Sequence, residues 1–86
     1  MGHRMDWRTL KLNDLVIVGD WPLELDRRSL HESTAMLYDW LIRSRTPLRV
    51  ARFDAQDVPM GEVVRDIDGV TVIETLGLNH SGLKRA

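Results

Sequence analysis

Cysteine is absent from this 86-residue chain, which excludes disulfides and thiolate-held metal sites and is compatible with a reducing compartment. Lysine is scarce: two stand against ten arginines, a preference that points to a GC-rich bacterial or phage genome. No apolar run approaches the length of a membrane span. The start, Met1-Gly2-His3-Arg4-Met5-Asp6-Trp7, lacks the apolar stretch of a secretory signal, so a cytoplasmic location is expected. Gly2 does not make an acylation signal, because Asp6 stands where Ser or Thr is required. The sequon Asn79-His80-Ser81 would matter only in a secreted protein. Neither a Gly-x-Gly-x-x-Gly loop nor a Walker-type loop occurs, so nothing predicts a phosphate cradle.

The composition, 43% hydrophobic and 29% charged, falls in the globular range and away from disordered chains. Eighty-six residues make a single domain, 1–86, with 1–5 and 77–86 as candidate flexible termini. A chain this short buries a modest share of its surface, so dimerisation or a partner would add to a thin stability margin.

Local patterns predict an α+β domain in the order β-β-α-β-β-β, an antiparallel sheet with one amphipathic helix on a face. Trp7 to Leu12, the turn pair Asn13-Asp14 and the apolar run Leu15 to Val18 read as an N-terminal hairpin. Gly19-Asp20-Trp21-Pro22 breaks that run. A helix is predicted from about Leu30 to Ser44, with Ser29 and Glu32 as a capping box and Asp26 as a competing cap one turn earlier. Leu30, Thr34, Leu37 and Leu41 share its apolar face, flanked by Tyr38 and Trp40. Arg43 and Arg45 suit its negative end, and Thr46-Pro47 stops it. Leu48 to Phe53 reads as a half-buried strand with its arginines outward. Asp68-Gly69 between Glu62–Ile67 and Val70–Glu74 is a strong hairpin signal, since both turn positions need positive φ. The tail from Gly77 has turn composition and is expected on the surface.

The catalytic motifs fail one by one. His31-Glu32 opens a zinc-protease-like pattern, but Ala35 stands where the second histidine must be. His3, His31 and His80 are scattered, and no metal or other cofactor is expected. Ser81-Gly82-Leu83-Lys84 has the bare Ser-x-x-Lys spacing without its companion motifs. Arg45 and Arg49 with Asn79 and Ser81 partly resemble the arginine pair and Asn/Asp-x-Ser-x-x-Gly pattern of PilZ cyclic-dinucleotide receptors. Lys84 replaces the glycine of that pattern, and no site residue is carried over. No residue is assigned to catalysis, and the chain is read as a non-enzyme.

The informative feature is a charge map hidden in a net charge of −1. From Arg27 to Arg52, six arginines stand against Glu32 and Asp39, a local +4; from Phe53 to Thr75, six acids stand against Arg65, a local −5. Such segregation suits docking on a charged partner, where complementary potential gives orientation and on-rate. Tryptophan and arginine are enriched at interface hot spots, and three tryptophans are present. The sequence therefore predicts a small protein-binding module, a regulator or inhibitor. Arg43, Arg45, Arg49 and Arg52 would meet a partner's acidic patch, and Trp21 is the candidate apolar anchor. The rival reading sends the same arginines to the phosphates of a nucleic acid. A third makes the chain a subunit of a homo-oligomer or virion, joined through the hairpin edge. In a further reading the arginines pair with the acidic hairpin inside the fold. No membrane partner is expected.

Overall fold

The computed structural model describes Met5 to Ala86; the readings placed on Gly2 and His3 lie outside these residues. Five strands form one antiparallel sheet: β1 (Leu15–Val18), β2 (Leu48–Phe53), β3 (Pro59–Ile67), β4 (Val70–Gly77) and β5 (Leu83–Arg85), in the spatial order β4-β3-β2-β1-β5. One α-helix, α1 (Glu32–Ser44), packs on one face, giving the α+β architecture expected from the sequence. The core between them holds Val16, Val18, Leu48, Val50, Leu83 and Leu41, all fully buried.

The sheet is assembled differently from the predicted order. Trp7 to Leu12 is no strand: the Asp6 carboxylate accepts from the Arg8 N–H at 2.9 Å and starts a 3-10 turn over Trp7–Thr9. Asn13 takes a left-handed φ of 69° and donates its N–H to the Val50 carbonyl at 2.9 Å. The Asn13-Asp14 turn thus leads the chain into pairing with β2. Both sides of β1 are occupied, by β2 and β5, so no edge is left for a preceding strand.

The missing strand comes from the tail. Leu83 pairs with Val18 and Arg85 with Val16, which makes β1 an interior strand of the sheet. Leu78, Leu83 and His80 are buried, so residues 78–85 contribute to the core where a surface turn was expected.

The helix starts two residues later than the pattern suggests. Asp26, not Ser29, is the effective cap of the approach: its carboxylate receives the Arg28 N–H at 3.0 Å and holds a 3-10 turn over Arg27–Ser29. Leu30 is extended, and α1 begins after His31, whose Nδ1 accepts from the Ser33 N–H. Glu32 lies in the first turn, where the helix dipole favours a carboxylate. The buried stripe is Ala35, Leu37, Tyr38 and Leu41, rotated towards Tyr38, while Leu30, Thr34 and Trp40 are half-buried. Arg45 closes the helix in the left-handed conformation with φ 53°, its N–H bonded to the Leu41 carbonyl. The Asp68-Gly69 hairpin forms as predicted, with φ 51° and 80° at its two turn residues. Its strands run further towards the base than the sequence suggests, from Pro59 and to Gly77.

Candidate basic and apolar docking face

Side chains alternate across a strand, so residues that pair across the sheet point to the same side. Val16, Leu48, Val50, Val63 and Leu76 face the helix and are buried. The alternate positions form the opposite face, and α1 is the only α-helix among the described residues, so that second face is open. One row across it is Leu15, Arg49, Glu62 and Thr75, and a second is Val64 with Ile73.

An antiparallel sheet with one solvated face ordinarily carries polar residues there. This face instead exposes Leu15, Val64 and Ile73 by 50%, 56% and 61%. Apolar surface of this kind, rimmed by polar groups, is what marks interaction sites.

The arginines reach this face through an irregularity. Arg49 and Arg52 are three residues apart, and in a regular strand they would point to opposite sides. The register of β2 on β3 shifts between Val50 and Arg52: Arg49 is opposite Glu62 and Arg52 is opposite Met60. Glu62 and Met60 are two apart on β3, so the bulge returns Arg52 to the side of Arg49, about 7 Å away along the sheet. The Arg49 guanidinium is braced, with Nη1 donating to Asn13 Oδ1 at 2.9 Å and Nη2 lying 3.5 Å from Glu62 Oε1. Arg52 is exposed and has no side-chain partner among the described residues. Continuing the Arg49–Glu62 register by two positions sets Val64 beside Pro47, so the helix-to-strand connection bearing Arg45 borders the apolar pair Val64 and Ile73. Arg45 is likewise exposed and unpartnered.

The remaining predicted site residues do not join this face. Arg43 stays on the last turn of α1 and donates from Nε to the Asp39 carbonyl at 3.4 Å. Trp21 is half-buried on the helix side: its ring lies 5.5 Å from Tyr38 and its Nε1 donates to the Leu25 carbonyl at 3.2 Å. Its indole is spent on joining the Gly19–Leu25 loop to the core. Of the four arginines from 43 to 52, Arg49 alone forms an ion pair with the hairpin acids; Glu74 is taken by Arg65 at 2.5 Å.

The sequence reading missed Leu15, Val64 and Ile73. Their signal was present in the doublets Val63-Val64 and Val72-Ile73. Two adjacent apolar residues in a strand serve both faces, which a half-solvated strand does not require.

On the helix side, the tail is fastened to the loop before α1. Glu24 Oε1 receives the Ser81 N–H at 3.0 Å and the Ser81 hydroxyl at 2.7 Å, which holds the Glu24 carboxyl below its ordinary pKa. His80 Nδ1 accepts from the Gly82 N–H at 3.2 Å, leaving the proton on Nε2, which is buried without a partner. Burial lowers the His80 pKa to about 4 and raises that of the adjacent Tyr38 to about 12. Among the described residues no three His, Asp or Glu side chains are gathered as a metal site. No described helix is long and apolar enough to cross a membrane.

No protein-family model matches this chain, and no curated protein and no solved structure matches it significantly.

Proposed function

We propose that this protein is a non-enzymatic interaction module, a regulator or inhibitor that docks its open sheet face on a partner protein bearing an acidic patch. The observation that carries the reading is the bulge in β2, which aims Arg52 to the same side as Arg49 beside exposed Leu15, Val64 and Ile73. Bulges re-aim side chains in this way beside functional sites. Arg45 and Arg52 supply unpaired cations at the two ends of β2, and guanidinium forks form bidentate bonds with carboxylates. The apolar centre between them suits a protein better than a nucleic acid, whose backbone offers phosphate without apolar surface.

The test is capture from a bacterial lysate with and without nuclease, comparing the wild type with Arg45→Glu/Arg52→Glu and with Val64→Thr/Ile73→Thr. These positions make no internal ion pair, so the variants are expected to fold. A nuclease-resistant protein retained by the wild type and lost by both variants is the expected result. Equal retention by either variant, or recovery of nucleic acid alone, contradicts the assignment.

A further inference from the structure

On the helix side of the sheet, away from the open face, a cleft of about 360 Å³ forms where four segments meet. The loop before α1 contributes Leu25 and Leu30, the helix Thr34 and Tyr38, the end of β4 Leu76, and the tail His80. The volume lies within the range of small-molecule pockets, which are mostly apolar with a few placed polar groups.

His80 distinguishes this cleft from an ordinary surface groove. Its side chain lines the cleft although the residue is only 3% exposed. Nδ1 is occupied by the Gly82 N–H at 3.2 Å, which puts the proton on Nε2. The imidazole stands edge-on to the Tyr38 ring at 5.7 Å, so the two rings form one wall. Nε2 is shielded from bulk water and has no acceptor among the described residues. A buried donor left unpaired is costlier than a made hydrogen bond is stabilising. An acceptor brought into the cleft removes that cost.

The charges around the cleft decide the kind of acceptor. Glu24 is exposed at its rim, and Oε1 accepts from both the Ser81 N–H and the Ser81 hydroxyl. These bonds hold the Glu24 carboxyl below its ordinary pKa, so the rim is negative and repels an anion. Among the described residues no lysine or arginine lines the cleft. Burial keeps the imidazole neutral, with a pKa of about 4, so nothing there pairs with a carboxylate or phosphate. An ammonium ion offers only donors where the buried wall needs an acceptor.

We propose that this cleft binds a small uncharged molecule with a hydrocarbon body and a carbonyl oxygen, the oxygen accepting from His80 Nε2–H and the body lying against Leu25, Leu30 and Leu76. Ketones, esters and amides share that chemistry. Burial of the body supplies affinity. The hydrogen bond favours the carbonyl over a hydrocarbon of the same shape, and Glu24 disfavours the matching carboxylate.

The probe is benzylacetone, a phenyl group carried on a short methyl ketone, titrated into the full chain at neutral pH and followed through amide and imidazole NMR resonances. Saturable shifts at Leu25, Thr34, Leu76 and Gly77 are the expected result, with the His80 Nε2–H proton moving downfield. The hydrocarbon analogue, in which a methylene group replaces the carbonyl oxygen, binds about tenfold more weakly and leaves that proton unmoved. Hydrocinnamate, the carboxylate of the same skeleton, is also weaker by about tenfold or more, whereas uncharged hydrocinnamamide matches the ketone. These comparisons alter the ligand alone, so they hold whatever a substitution does to folding. Thr34→Trp, which fills the cleft from the helix, abolishes binding while the remaining amide shifts confirm the fold. Arg45→Glu/Arg52→Glu leaves binding unchanged, which separates the cleft from the open face. Equal binding of the hydrocarbon, equal or tighter binding of hydrocinnamate, shifts centred on Arg65 and Glu74 in the neighbouring cleft, or no saturation by about 10 mM would each overturn the proposal.

Discussion

Gly82 and His80 show how single atoms fasten the tail. A Cβ on residue 82 would lie 2.3 Å from the Asp20 carbonyl oxygen, and both backbone ends of Gly82 are engaged: its N–H with His80 and its C=O with the N–H groups of Gly19 and Asp20. Gly82→Ala therefore cannot be absorbed by a side-chain rotation, and a loss of about 3 kcal/mol is expected in urea melts. His80 carries the pH dependence. Its folded pKa, about 4, lies below the ordinary 6.5, so the unfolded chain binds the proton first. Stability is full above pH 6.5 and declines as the pH falls from 6.5 to 4, by about 3 kcal/mol over the window. Glu24 and Asp14, both held below their ordinary values by hydrogen bonds, add a further decline at lower pH, as their carboxylates protonate. His80→Gln keeps an acceptor near the Gly82 N–H but has no proton to gain. Its stability should be flat between pH 6.5 and about 5, above the range in which Glu24 protonates; a decline there equal to that of the wild type would show that another group carries the effect.

At the scale of elements, the hairpin and the tail strand make contrasting predictions. Gly69 sits at φ 80° with open space around its Cα, so Gly69→Val costs backbone strain alone, about 1 to 2 kcal/mol by thermal melting. Leu83 is fully buried and holds β5 against β1. Leu83→Ala should cost about 2 to 4 kcal/mol, a large part of the stability of a domain this size. A small effect at Leu83 would mean that the tail is dispensable. The same contrast explains what the sequence made legible. Asp68-Gly69 was readable because a two-residue turn is decided by its own dihedral angles. The helix was readable by periodicity, with its start displaced because the Asp26 carboxylate and His31 ring took the caps assigned to Ser29. β5 was not readable: three residues between a Gly/Ser turn and the chain end carry no period, and only the partner β1 makes them a strand. The Trp7–Leu12 segment was misread because alternation was weighed without the Asp6 carboxylate, which starts a turn within the chain's own backbone.

At the scale of the whole molecule, helix α1 covers one side of a five-stranded sheet and leaves the other side and the β4 edge open. The positive and negative segments seen in the sequence were legible as a charge map. Their use was not, because the bulge that unites Arg49 with Arg52 is a matter of register. Arg43, on the last turn of α1, and Trp21, packed on Tyr38 on the helix side, lie apart from the face they were expected to join. The central claim is that the open face docks on a protein, and a photo-crosslinking residue at position 73 tests it most directly in lysate, with the same residue at exposed Leu23 as control. The account predicts a discrete, nuclease-resistant protein adduct from position 73, absent from position 23 and lost when Arg45→Glu/Arg52→Glu is introduced. Equal adducts from both positions, or an adduct at 73 unaffected by the arginine substitutions, would contradict it.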